Sequence, residues 1–142
     1  MKLIRFLLIV FIFSIGINSL IAQDKSITTF YFIRHAEKVR DGNHDPLLTE
    51  KGIQRAENWV RIFEYVPFNS VYSTRTKRTL ATAQPTVLEK NLKTLIYDSK
   101  NIDINQFVKN NKGKTILIVG HSNTTPRLVN ALIGSEKYND IP

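Results

Sequence analysis

The chain has 142 residues, is 42% hydrophobic and 23% charged, and carries a formal net charge of +8. That length fits one domain, and that hydrophobic share supports a packed core and excludes a disordered chain. Cysteine is absent, which excludes disulfides, thiolate metal sites, a cysteine nucleophile and a lipidated cysteine anchor.

Lys2 and Arg5 give a positive start, and residues 6–17 are apolar except for Ser14 and Gly16. With small Ala22 at the cut, residues 1–22 have the layout of a secretory signal peptide. The apolar run is shorter than the roughly 20 residues a spanning helix needs. Cleavage and export to the periplasm or medium are therefore expected, with no stable membrane partner afterwards. An uncleaved membrane anchor is the alternative. A basic surface attracts nucleic acid, anionic lipid or phosphorylated small molecules. Lys109, Lys112 and Lys114 read as a solvated patch, and no nucleic-acid partner is expected.

Residues 28–33 read as a buried strand, β-branched and aromatic without polar alternation. Residues 40–46 (RDGNHDP) form a turn-rich loop. Thr49 can cap a helix running to about Glu64, with Ile53, Ala56, Val60 and Phe63 on one face. Residues 70–73 are a short strand, and residues 76–89 a helix that Pro85 should bend or shorten. A third strand covers 92–97. A short helix covers 102–110, with Ile102, Phe107 and at most Val108 inward, and Gly113 breaks it. Residues 114–119 (KTILIV) are the clearest buried strand, and 124–133 a last helix with Pro126 tolerable in its first turn. Alternating strands and helices predict an α/β three-layer sandwich, its sheet mainly parallel and covered on both faces.

Ligands of such sheets gather beyond the carboxyl ends of the strands. Three strands here end in chemically capable residues: Arg34-His35, Ser73-Thr74-Arg75 with Arg78 a turn on, and Gly120-His121-Ser122-Asn123. Parallel strands would bring all three to one rim. Arginine grips phosphate oxygens bidentately, so Arg34 and Arg78 could clamp a phosphoryl group. Neutral imidazole is a competent nucleophile toward phosphorus, and a second, protonated imidazole could donate to a phosphoryl oxygen as charge builds. The constellation suits phosphate transfer to His35 and hydrolysis of the phosphohistidine.

The chain resembles the histidine phosphatase superfamily, also called the phosphoglycerate-mutase-like family, over most of residues 28–133. Arg34-His35-Ala36 is similar to its first motif, with alanine where the family usually has glycine. Leu48-Thr49-Glu50-Lys51-Gly52 with Gln54 and Ala56 resembles its first-helix pattern. VYSTRTKRTLATA resembles its second-arginine motif, where Thr82-Ala83 sets the register on Arg78 and not Arg75. ILIVGHSN resembles its second-histidine motif. The resemblance implies a phosphoglycerate-mutase-like fold, a histidine phosphatase domain over 23–142, His35 as the phosphorylated nucleophile, and Arg34, Arg78 and His121 as phosphoryl ligands. It implies no metal or other cofactor. Relatives commonly continue into another strand after the final helix; either this sheet lacks an edge strand or the sequence is a piece of a longer one.

The proton donor stays open between Asp98, placed after the third strand as in many relatives, Glu37 beside the nucleophile, and none. With no acid, phosphoramidates and acyl phosphates become the better substrates. Asn123, grouped with the substrate-binding residues, either orients His121 or caps the last helix. His44 and Asp45 read as structural or rim residues. A zinc site on His35, Glu37 and His121 is disfavoured because one residue separates the first pair and Arg34 would repel a cation. The expected activity is hydrolysis of a phosphomonoester or phosphoramidate, carried by a phosphorylated small molecule or phosphoprotein. The rival readings are a catalytically silent phosphate- or phosphoprotein-binding module on the same scaffold, and nucleic-acid binding on charge alone.

Overall fold

The computed structural model describes residues 27–142. The expected signal segment and its cut at Ala22 lie outside the described residues. The elements, in chain order, are β1 (Thr29–Arg34), α1 (Glu50–Ile62), β2 (Ser70–Ser73), α2 (Lys77–Glu89), β3 (Thr94–Ile96), α3 (Ile104–Asn110), β4 (Thr115–Gly120) and α4 (Thr124–Ile133). The strands form one sheet in the order β1-β4-β2-β3, and every neighbouring pair is parallel. Arg34 stands opposite Gly120, and Ser73 opposite both Val119 and Ile96. The three chemically loaded strand ends therefore share one rim.

Side chains alternate between the two faces of the sheet. Ile33, Val71, Leu117 and Val119 pack with Phe63 of the α1 end and with Ala83 and Val87 of α2, alongside Tyr31 and Trp59. Ile116 and Ile118 pack on the other face with Phe107 of α3 and Leu128 of α4, alongside Phe30 and Phe32. This is the predicted three-layer α/β sandwich. The central strand β4 is buried on both faces, as its unbroken apolar run implies. In contrast, β1 is an edge strand, and only Ile33 of its residues is buried. Its apolar run reflects aromatic rings lying over both helical layers, such as Tyr31 edge-on to Phe63 and Phe68 at 5.6 and 5.4 Å between centroids.

Several elements differ from expectation for identifiable reasons. α1 begins as predicted: Thr49 Oγ1 accepts from Gly52 N–H at 3.1 Å. Its inward face, however, is Gly52, Ala56, Trp59 and Phe63, while Ile53 is 49% exposed and Val60 half-buried. The Thr49 amide donates to Glu37 O at 2.9 Å and draws the first turn so close to the β1 exit that a Cβ at position 52 would collide with the Glu37 carbonyl. That closeness rotates the helix by about one residue. Pro85 neither ends nor shortens α2, which runs unbroken to Glu89. Ala83 and Val87, buried on either side of Pro85, hold both turns against the sheet, outweighing a cost of about 3 kcal/mol for an interior proline. The third strand is trimmed to three residues because Asn91, at φ 51°, ends α2 by a left-handed turn in which Leu92 N–H donates to Val87 O. α3 starts at Ile104, capped by Asp103, with Ile102 still packed against the core and Val108 turned outward. Among the described residues no helix is long and apolar enough to cross a membrane.

Candidate functional site

The β1–β4 ladder continues one residue past the strands: His35 N–H donates to Gly120 O at 2.9 Å. The next amide, Ala36 N–H, donates to Thr82 Oγ1 of α2 at 3.0 Å. Ala36 is only 3% exposed and sits with Leu48 and Ala56, so a small residue is required there. The strand exit is thereby held from the sheet and from the helical layer at once. His35 Nδ1 lies 2.8 Å from Ala36 O. A carbonyl only accepts, so Nδ1 carries the proton and Nε2 keeps its lone pair. Burial lowers the His35 pKa against the opposing pull of that hydrogen bond, and Arg78, Arg34 and Lys38 lower it further. The ring is neutral near pH 7.

His121 follows β4, its amide donating to Thr124 Oγ1 at 3.1 Å. Its ring centroid is 5.4 Å from that of His35, with the planes at 67°. Nε2 meets Thr74 Oγ1 at 3.0 Å and Nδ1 meets Arg78 Nη2 at 3.4 Å. Burial first, then Arg78 and His35, push its pKa down to about 4, with Asp45 opposing. Arg78 projects from the first turn of α2 with its side chain 16% exposed; Nη1 donates to Asp45 Oδ1 at 3.3 Å, and buried Nε has no partner. Two neutral imidazoles and a partly buried guanidinium thus meet at the rim, a group suited to holding an anion and attacking it.

Arg34 lies beside this group but is exposed, and its Nη1 donates to the Pro142 carbonyl at 2.6 Å. It shares with His35, Lys38, Arg40, Arg55 and Trp59 a cavity of about 550 Å³. On the other side, Thr74, Arg75, Tyr97, Asp98, Lys100 and His121 line a cleft of about 480 Å³. Burial pushes the Tyr97 phenol up to about 12, so it remains a neutral hydroxyl.

The two carboxylates considered as proton donors are both held as anions. Asp98 is fully exposed and folded into its own loop: Oδ1 accepts from Lys100 N–H at 2.9 Å and Oδ2 from Asn101 Nδ2 at 2.8 Å, and these bonds lower its pKa. The Glu37 pKa is lowered by its own main-chain amide and by Arg55, whose Nη2 donates to Oε1 at 2.5 Å. Asn123 occupies the N-cap position of α4 but makes no side-chain capping bond. His44 is exposed in the 40–46 loop. Among the described residues no group of three or more His, Asp or Glu side chains converges to hold a metal ion.

Three residues to which the sequence assigned no catalytic or substrate-binding role hold this site. Thr74 contacts His121, Thr82 braces Ala36, and Asp45 contacts Arg78. Thr76, Thr79 and Thr82 recur at helical spacing on the face of α2 that meets the strand exits. That repeat was the available signal for the Thr82 contact, and through Thr79, which Thr74 Oγ1 meets at 3.0 Å, for the support of Thr74.

A family model described as the histidine phosphatase superfamily (branch 1) matches residues 30–100. No curated protein sequence matches the chain. Among solved structures, phosphoserine phosphatase from Entamoeba histolytica is similar with a TM-score of 0.60 and 21% identity, covering 78% of this chain and 82% of that one. YhfR of Bacillus stearothermophilus is similar with a TM-score of 0.63 and 19% identity, covering 77% and 81%. The alpha-ribazole phosphatase of Shigella flexneri is similar with a TM-score of 0.58 and 19% identity, covering 75% and 80%. At these identities the likeness is one of fold.

Proposed function

The chain belongs to the histidine phosphatase superfamily, and from that premise we propose that it is a metal-independent phosphatase working through a phosphohistidine on His35. The observation that carries this reading is the His35 tautomer. With Nδ1–H bound to Ala36 O, the lone pair of Nε2 is free to attack phosphorus beside Arg78 and His121. The N–P bond forms as the bond from phosphorus to the leaving group breaks. Water then attacks the phosphohistidine, returning neutral His35 and releasing inorganic phosphate. Arg34 and Arg78 balance the charge of the transferring group. For Arg34 this requires exchanging the Pro142 carbonyl for a phosphoryl oxygen.

Asp98 and Glu37 are both held ionised, so the reading favours leaving groups that need no strong acid. Phosphoramidates and acyl phosphates fit this best, whether small molecules or phosphoproteins, and phosphomonoesters of basic alcohols fit least. Export, following from the apolar segment before residue 23, belongs to the same proposal. It is tested by the N-terminal residue of protein recovered outside the cytoplasm.

The experiment is phosphate release by the purified protein from a phosphoramidate and a phosphomonoester panel, with and without chelator, beside His35→Ala. The expected result is chelator-resistant turnover, a trapped acid-labile phosphoenzyme, and loss of both in the variant. Equal turnover by His35→Ala would overturn the covalent mechanism. Phosphate binding by both proteins without turnover by either would replace the enzyme with a binding module.

A further inference from the structure

His121 is engaged at both ring nitrogens, and its partners dictate where its proton sits. Arg78 Nη2, 3.4 Å from Nδ1, can only donate, so Nδ1 is an acceptor. A neutral imidazole has one N–H, which is then on Nε2 and donates to Thr74 Oγ1 at 3.0 Å. The Thr74 hydroxyl in turn donates to Thr79 Oγ1 at 3.0 Å, and the Thr79 hydroxyl is shared between the Thr74 and Thr76 carbonyls at 2.9 and 3.0 Å, with Thr76 Oγ1 at 2.9 Å. The Arg78 donor at Nδ1 and the carbonyl acceptors at Thr79 agree on a chain that runs from the ring to the main chain. Thr74 and Thr79 are 6% and 0% exposed, which leaves little room for water to offer another partner.

We propose that Thr74, backed by Thr79, is a positioning residue that reserves Nδ1 of His121 for the phosphoryl group. The ring's resting proton is kept on Nε2. When a phosphate dianion enters beside Arg78, the second proton, taken from solvent, has only Nδ1 to go to. The substrate's own charge thus turns His121 from an acceptor of the Arg78 hydrogen bond into a donor toward phosphoryl oxygen. Phosphate departure returns that proton to solvent. The assignment of the anion to this rim rests on the function proposed above; the tautomer does not.

The ionisable groups facing the ring are His35 at the β1 exit, Arg75 and Arg78 at the start of α2, and Asp45 from the 40–46 loop. Tyr97, Asp98 and Lys100 face the same cleft from beyond β3. All are retained in Thr74 variants, so a change in the ring's proton reports the hydroxyl and not the surrounding charge.

The test is the imidazole nitrogen spectrum of the full chain, together with steady-state kinetics, for wild type, Thr74→Ser, Thr74→Val and Thr79→Val. Wild type and Thr74→Ser are expected to show an Nε2–H tautomer that gains a proton at Nδ1 on adding inorganic phosphate. Thr74→Val is expected to show mixed tautomers, a kcat lower by about tenfold with KM little moved, and weaker protonation by phosphate. Thr79→Val is expected to fall between them, and carries the test if Thr74→Val does not fold. A resting Nδ1–H in wild type, or a wild-type tautomer and kcat in both valine variants, would overturn the proposal. If wild type turns over nothing, the proposed function fails, while the tautomer result stands or falls by the spectra.

Discussion

Asp45 and Arg78 are joined across two separate elements: Arg78 Nη1 donates to Asp45 Oδ1 at 3.3 Å. The same carboxylate accepts from Lys77 N–H at 3.0 and 3.2 Å. It therefore caps α2 from outside, where Thr76, the local N-cap residue, makes no side-chain capping bond. One group orients the partly buried arginine, satisfies the helix start and ties down the 40–46 loop.

Asp45→Ala is expected to lower unfolding stability by about 1 kcal/mol, the usual cost of losing a helix cap, and to raise KM several-fold as Arg78 loses its anchor. Asp45→Asn keeps an oxygen for the cap, so it should recover most of the stability and less of the KM. Urea denaturation and steady-state kinetics separate the two effects. A stability loss with unchanged KM would restrict Asp45 to capping.

Thr82→Val removes the acceptor for the Ala36 amide without changing side-chain volume much. A buried donor left without a partner costs about 1–3 kcal/mol. Because that amide follows His35, kcat is expected to fall along with stability. An unchanged kcat in a destabilised protein would mean that the exit from β1 is held well enough by the Gly120 carbonyl alone.

The histidine pair sets a pH window for stability. The folded pKa of His121 is about 4, against 6.5 for an unperturbed imidazole, so the unfolded chain takes up its proton first. The stability gained from a neutral ring is full above about pH 6.5 and is lost as pH falls toward 4. His35 is shifted in the same direction. Denaturant midpoints are expected to drop across that window for wild type and to drop less for His121→Gln. The depressed carboxylates Glu37 and Asp98 act with the same sign but at lower pH, below their ordinary range.

Gly120→Ala is expected to destabilise by about 1–3 kcal/mol, as overpacking does. A Cβ there would lie 2.6 Å from Thr125 Oγ1 and 2.8 Å from the Tyr97 hydroxyl oxygen. The displacement would reach His121, the next residue. Activity is therefore expected to fall by more than the folded fraction does, which thermal denaturation alongside kinetics would show.

Much of this architecture was legible in the residues because the relevant signals are local. The KTILIV run announces a strand buried on both faces, and adjacent histidine and arginine at the ends of apolar strands announce a shared rim once the strands are parallel. Other features depend on contacts between distant segments. The face of α1 depends on how near Gly52 comes to Glu37, which hydrophobic spacing cannot reveal. The continuity of α2 through Pro85 depends on Ala83 and Val87 meeting the sheet. Asp45 read only as a structural or rim residue because its partners are on α2, and Thr74, though placed at a loaded strand end, had no role of its own because its value lies in a bond to His121. Asp98 matched an acid by position along the chain, yet its carboxylate is absorbed by two neighbours in its own loop.

The placement of β4 between β1 and β2 has a kinetic consequence. Its two neighbours both precede it in the chain, yet they pair only through it, so neither histidine has its counterpart until the late-made strand has slotted between them. Pairings so remote along the polypeptide form slowly. Catalytic competence should therefore trail helix formation during refolding, and turnover would serve as a stopwatch for the final closure of the sheet.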